Sequence, residues 1–356
     1  PPIMTSCTSF RWFTFAVVLL LSTLGCNPAS QNLVERRGGR VYQRMCAVCH
    51  GVTGGGYKAD QAPALTRPEF LTSATDEFLR HAIANGRTGT TMSAWAMERG
   101  GPLSRADVNA VVAFLRSWGR GKRASLDEQP PRGDATRGNE IYVRECARCH
   151  GERGRGGPYV NIGNPQLLTT ASDGFLRHAI KGGRPGTVMP SFAVRLGASG
   201  VDDVIAALRS WQPTTEPTHV EPTRPPPIPL GPVPIYPKGP EPVGFKANPE
   251  ATGADVIKAQ LDRHARIGIL DARAPSDYVN EHIAGAVSVP FYDVDTYASK
   301  LPKDAWLVCY CSCPHAESGQ LARALASKGF RKVTILDEGL GYWHRKKYET
   351  RKGQEP

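Results

Sequence analysis

The sequence predicts a multidomain protein in which two all-α units in tandem precede an α/β domain with a parallel central sheet. Three observations lead there. A whole helical unit occurs twice in the N-terminal half, a proline-rich stretch follows it, and short apolar runs alternate with helical patterns beyond. The 356 residues suffice for two or three domains of ordinary size, each with its own core. An apolar content of 40% points neither to global disorder nor to a polytopic membrane protein.

The chain opens on a targeting pattern. After Met4 and Arg11, Trp12 to Leu21 is an apolar run, shorter than the roughly 20 residues that span a bilayer, and it reads as the core of a secretory signal. Leu21-Ser-Thr-Leu-Gly25-Cys26 resembles a bacterial lipoprotein signal, although Thr23 and Leu24 depart from its usual order. Residues 1–26 are therefore expected to be a signal peptide of lipoprotein type. The resemblance implies membrane attachment by lipid at Cys26 on the periplasmic side of a bacterial membrane.

The duplication is legible over most of two units, 33–120 and 133–212. Tyr42-Gln-Arg-Met-Cys46-Ala-Val-Cys49-His50-Gly51 returns as Tyr142-Val-Arg-Glu-Cys146-Ala-Arg-Cys149-His150-Gly151. Phe78-Leu-Arg-His-Ala-Ile83 returns at Phe175, and both units finish on Leu-Arg-Ser-Trp, ending at Trp118 and Trp211. Val108, Val111, Val112, Leu115 and Trp118 recur at helical spacing, which predicts a helix over 107–118. Asp202 and Asp203 are expected at the start of the equivalent helix, where negative charge suits its dipole. Glycines 54–56 and the 154–157 segment break the chain just past each Cys-x-x-Cys-His.

Cys46-Ala-Val-Cys49-His50 and Cys146-Ala-Arg-Cys149-His150 are both haem-attachment motifs. Two thiols at this spacing add to the two vinyl groups of haem, and the histidine directly after the second reaches the iron. The expected cofactor is thus two covalently bound haem c, held by Cys46, Cys49, Cys146 and Cys149, with His50 and His150 on iron. A zinc ribbon would need both cysteine pairs in one domain, whereas these lie 100 residues apart.

Each unit resembles a small class I cytochrome c. In that family a glycine and an aromatic residue before the motif pack on an aromatic residue of the last helix. Gly38 or Gly39 with Tyr42 against Trp118, and Gly138 with Tyr142 against Trp211, match it. The resemblance also implies a methionine as sixth ligand on a loop before the last helix, the place of Met92 and Met189. His81 and His178, in the repeated Phe-Leu-Arg-His segment, are the competing nitrogen ligands, with a helix-surface role the plainer reading. The family implies electron transfer and redox protein partners. The formal charge of +11, reduced by haem propionates, would steer acidic ones. No nucleic-acid motif is present, so no nucleic-acid partner is expected.

Residues 213–249 hold 13 of the 30 prolines and read as a semi-rigid extended linker. Beyond it, 250–348 carries short apolar runs at 267–271, 306–310 and 333–336, suited to buried parallel strands, with a helix over 316–328. Asp271-Ala-Arg273, Asp277-Tyr278, His282-Ile-Ala-Gly-Ala286, Cys311 and Gly339-Leu-Gly-Tyr-Trp343 follow one another as in a rhodanese-like domain, which this region resembles. That resemblance implies Cys311 as the catalytic thiol, taking sulfane sulfur from thiosulfate or a persulfide, so a small sulfur-containing anion is an expected partner. A cysteine that ends a strand in front of a helix N-terminus is placed to hold an anionic persulfide. The loop departs from the family: it is about one residue longer, lacks the arginine near its end, and has His315 and Glu317 instead. Cys313 is a second thiol able to resolve a persulfide or to stay inert, and Cys309 reads as buried core.

The combined expectation is an exported dihaem electron carrier coupled to sulfane-sulfur chemistry at Cys311. The alternative is an electron carrier whose third domain docks a partner or senses redox state without catalysis.

Overall fold

The computed structural model describes residues 28–57, 59, 62–87, 89–119, 121–212, 232–247, 249–312 and 315–356. The signal peptide with Cys26, the first half of the proline-rich stretch, and Cys313 lie outside the described residues.

The first unit comprises helices Pro28–Val41, Ala47–His50, Pro68–Ser73, Asp76–Asn85 and Arg105–Trp118, the first running into a π-helical turn over Tyr42–Cys46. Ser104 starts the last helix with a capping box. Its hydroxyl accepts from the Asp107 N–H at 3.2 Å, and the Asp107 carboxylate accepts from the Ser104 N–H at 3.1 Å. Val108, Val111, Val112 and Leu115 form the buried stripe of that helix.

The crossing of the first and last helices is set by a missing side chain. A Cβ on Gly38 would stand 1.9 Å from the Ala110 carbonyl oxygen, and one on Gly138 would stand 1.8 Å from that of Asp203. Gly38, rather than Gly39, is thus the crossing glycine. Tyr42 then meets Trp118 edge-on at 5.0 Å, and Tyr142 meets Trp211 at 4.7 Å.

The second unit repeats the arrangement with Ala135–Glu145, Ala147–His150, Pro165–Thr170, Asp173–Gly182 and Ala193–Ser210. The last of these is two helical stretches broken at Gly197 (φ 61°), and Asp202 and Asp203 lie near the start of the longer stretch that follows the break, the counterpart of Arg105–Trp118. Asp203 is buried, accepts from the Asp134 N–H at 2.6 Å and pairs with Arg137 at 2.9 Å.

The two units meet around a pair of equivalent residues, as in a pseudo-two-fold pair. Phe78 stacks on its counterpart Phe175 at 5.1 Å, and two non-equivalent residues, Tyr57 and Tyr159, also meet across the units at 6.1 Å.

The α/β domain has a five-stranded parallel sheet in the order Ala251–Thr252, Val333–Leu336, Trp306–Tyr310, Ile267–Asp271, Ala286–Ser288. The three central strands are almost wholly buried, as continuous apolar runs in a covered parallel sheet should be. Helix Glu317–Ser327 connects the strands that end at Tyr310 and begin at Val333. The described second half of the proline-rich stretch lies on this domain: the Arg266 N–H donates to the Pro240 carbonyl at 2.9 Å, and Phe245 meets Trp306 at 5.3 Å. No helix among the described residues is long and apolar enough to cross a membrane.

Candidate haem and sulfur sites

In each helical unit one turn of helix brings the two motif cysteines and the histidine together, and all four thiols are free. The His50 Nδ1–H donates to the Pro63 carbonyl at 2.9 Å, and the His150 Nδ1–H donates to the Val160 carbonyl at 2.9 Å. A carbonyl can only accept, so the proton sits on Nδ1 and Nε2 keeps its lone pair. Burial lowers the pKa of both imidazoles, which favours the neutral, metal-binding form. Tyr42 and Tyr142 brace the turn just past each histidine by donating to the Gly51 carbonyl at 2.6 Å and the Gly151 carbonyl at 2.8 Å.

The methionine loops match bond for bond. Backbone Arg87 N–H donates to the Met92 carbonyl at 2.9 Å and Arg184 N–H to that of Met189 at 3.0 Å. Thr90 and Thr187 close the two loops by accepting from the methionine N–H groups at 3.2 and 3.1 Å. Cys46 and Met92 both pack, partly buried, on the core of the first unit.

Arg87 lies over Phe78 at 5.2 Å and Arg184 over Phe175 at 5.6 Å. Burial pushes Arg87 down to about 10 and also lowers Arg184, and Nη1 of Arg87 is buried without a partner among the described residues. An unpartnered buried guanidinium calls for an anion. Oriented neutral imidazoles, paired free thiols and this orphaned cation fit a haem with its propionates. His81 and His178 both lie in the helices that carry Phe78 and Phe175.

Cys311 follows the central strand Trp306–Tyr310 and is 1% exposed. Its Sγ lies 3.3 Å from the Ser318 hydroxyl, and its carbonyl accepts from the Leu340 N–H at 3.0 Å. Gly339 has φ 68°, and a Cβ there would stand 3.1 Å from the carbonyl oxygens of both Cys311 and Ser312. Only glycine suits that place.

Asp271, Arg273 and Tyr310 form a buried cluster beneath the loop. Arg273 donates to Asp271 at 2.6 Å, to the Glu281 carbonyl at 2.6 Å and to the Ser312 hydroxyl at 3.2 Å, while Tyr310 donates to Asp271 at 2.6 Å. An arginine therefore reaches the cysteine loop from another element. Glu317 is buried and held well above the usual carboxylate range, first by burial and then by the neighbouring Cys311. His315 points away to Asp337 at 2.8 Å. Cys309 is core, its thiol pushed up by burial.

Comparison with known families agrees with both geometries. The family model described as cytochrome c oxidase, cbb3-type, subunit III matches residues 34–115 and 133–206, and the rhodanese-like domain model matches 253–346. The chain is two cytochrome c domains followed by a rhodanese-like domain.

Among curated relatives, the cbb3-type cytochrome c oxidase subunit FixP of Azorhizobium caulinodans is 30% identical over 181 residues, covering 49% of this chain and 59% of that protein. The putative sulfur carrier protein YrkF of Bacillus subtilis is 28% identical over 91 residues, 25% of this chain and 48% of the relative. The chain thus spans about three fifths of the FixP length and half of the other. Among solved structures, a chain of the Kuenenia stuttgartiensis reducing HAO-like protein complex is similar over 50% of this chain and 96% of its own, at 25% identity and a TM-score of 0.36.

The rhodanese-like domain sits on the first cytochrome domain. Cys311 and Ala59 form one small buried cluster, against which the motif cysteine Cys49 and Ala316 pack. Around that contact the Ser93 hydroxyl donates to the Asp277 carboxylate, the Ser276 hydroxyl donates to the Ala94 carbonyl at 3.2 Å, and Arg44 donates to the Tyr292 carbonyl. Trp95 meets Phe291 at 6.4 Å and Tyr292 at 5.8 Å.

Ser93 and Ala59 do not stand out in the sequence as part of a site, whereas Asp277 belongs to the rhodanese-like series of motifs. Arg87 and Arg184 had one available signal, since the repeat preserves Gly-Arg before each methionine.

Proposed function

We propose that this chain is an exported two-haem electron carrier whose third domain handles sulfane sulfur at Cys311. Cys46 and Cys49 would hold one haem c by thioether bonds, and Cys146 and Cys149 the other. His50 with Met92, and His150 with Met189, would hold the two irons. Bound there, haem supplies one-electron acceptance and release at a potential that thioether ligation raises. The chain's own residues orient and insulate it. Carbonyls of Pro63 and Val160 fix the imidazoles, Arg87 and Arg184 meet propionate charge, and the apolar cores exclude water.

At Cys311 the thiolate would attack the outer sulfur of thiosulfate. A bond forms between that sulfur and Sγ as the bond to the departing sulfite breaks, and the persulfide keeps the negative charge. The Ser318 hydroxyl, 3.3 Å from Sγ, and a protonated Glu317 are neighbours able to donate to that anion. The persulfide then passes its outer sulfur to a nucleophile. With hydrosulfide as donor instead, forming the Cys311 persulfide releases a proton and a pair of electrons, and a pair of one-electron haems matches that yield.

The observation that carries the coupling is the buried cluster of Cys311 with Ala59 of the first cytochrome domain, against which the motif cysteine Cys49 also packs. Similarity to cbb3-type oxidase subunits supports redox protein partners, and the signal-like pattern over residues 1–26 supports a periplasmic location with lipid at Cys26. The basic charge of +11 favours acidic partners.

Incubating the full holoprotein with thiosulfate, then with cyanide, tests the sulfur half. Wild type should gain the mass of one sulfur atom at Cys311 and form thiocyanate, and Cys311→Ser should do neither. The near-complete burial of Cys311 favours the second reading, a docking or sensing module without catalysis. No sulfur gain in a protein with both haems intact would select it.

A further inference from the structure

We infer that Cys311 and the attachment segment of the first cytochrome domain form one closed interdomain site, so that sulfur loads onto Cys311 only when the two domains part. This rests on the reading of Cys311 as the sulfur carrier.

The first ground is space. Cys311 is 1% exposed; Ser318 of its own domain lies 3.3 Å from its Sγ, and it shares a buried cluster with Ala59 of the first cytochrome domain, against which Cys49 and Ala316 pack. A persulfide extends Sγ by a whole sulfur atom. An interior packed like other protein cores has no place for an added atom of that size without displacing a neighbour. The wall built from the cytochrome side is the one that can move, because the opposite wall is the central strand and its following helix.

The second ground is the character of the contacts. Ser93 and Ala94, next to Met92, bond to Asp277 and Ser276, while Arg44, in the π-helical turn that leads into the attachment motif, bonds to the Tyr292 carbonyl. Around the buried anchor Trp95, which meets Phe291 and Tyr292, the domains are joined by hydrogen bonds from serines and one arginine, bonds that water can replace when the domains part. Parting them would expose Cys311 to small anions and the first haem pocket to water in the same movement. The second cytochrome domain would be unaffected, since Val188, Pro190 and Ser191 of its equivalent loop are already exposed.

The test uses the full-length holoprotein as wild type, Ser276→Arg and Arg44→Glu, which attack the interface from opposite sides and away from Cys311. Alkylation of Cys311 by iodoacetamide is timed by the mass of its peptide. The potential of each haem is titrated in a Met189→His background that separates the two. Both variants should alkylate faster, on the order of ten-fold, and should lower the first haem's potential through solvent exposure while leaving the second unmoved. Unchanged alkylation and potential in both variants, with native circular dichroism, would overturn the inference.

Inorganic polysulfide supplies the other arm. A gain of one sulfur at Cys311 accompanied by faster hydrogen exchange over 93–95 and 276–277 supports opening, and the same gain with unchanged exchange contradicts it. Absence of any gain rejects the carrier reading itself, and the alkylation arm still decides closure.

Discussion

Ser93 and Asp277, 184 residues apart in sequence, share a hydrogen bond that fastens the methionine loop of the first cytochrome domain to the rhodanese-like domain. The duplicated loop has Pro190 in place of Ser93, and proline has no hydroxyl to offer. This is one of the differences between the two loops, with Trp95 against Phe192 another, that distinguish the covered cytochrome domain from the open one.

The bond-for-bond identity of the two methionine loops means that their ligands should respond separately. Met92→His is expected to lower the potential of the first haem alone, and Met189→His that of the second alone, because a second imidazole replaces the thioether. Potentiometric titration of each variant checks this. A drop in both potentials from a single substitution would mean that the haems are not ligated domain by domain.

Gly38→Ala is expected to destabilise the first cytochrome domain by about 1–3 kcal/mol, the range for overpacking a well-filled contact. Its Cβ would overlap the Ala110 carbonyl, whereas Gly39→Ala meets Phe114 at 3.2 Å and should be milder. Denaturant unfolding of the three proteins ranks them, and equal losses would refute the assignment of Gly38 as the crossing residue.

Glu317 gives a signed pH dependence. Its pKa in the folded protein is raised, mainly by burial, so above the ordinary glutamate range the unfolded chain binds fewer protons than the folded one. Stability is then fully present below the unfolded value and is lost as pH rises through the folded value. Glu317→Gln, which keeps shape and a donor, should flatten that decline and be the more stable protein at neutral pH by about 1–3 kcal/mol. Unfolding curves from about pH 5 to about pH 8 decide it, and parallel slopes for the two proteins would count against a buried neutral Glu317.

Much of the architecture was legible because it is written locally. The strands at 267–271, 306–310 and 333–336 have the bounds that their apolar runs suggest, and the helix expected over 316–328 forms over Glu317–Ser327. The attachment motifs are legible for the same reason, since five consecutive residues carry the whole chemistry. The edge strands Ala251–Thr252 and Ala286–Ser288 are too short to leave a periodic signal. The choice between Gly38 and Gly39 needed the partner helix. The cluster of Cys311 with Ala59 joins residues 252 positions apart, and the contacts around it use Ser93, Ser276 and Trp95, none of which belongs to either motif.

The central claim is that sulfur chemistry at Cys311 and electron transfer belong to one process. The most direct measurement mixes oxidised holoprotein with sulfide and follows haem absorbance for wild type and Cys311→Ser. The account predicts reduction of the wild-type haems and little or none in the variant at the same sulfide concentration. Equal reduction in both proteins, or none in either, would contradict it.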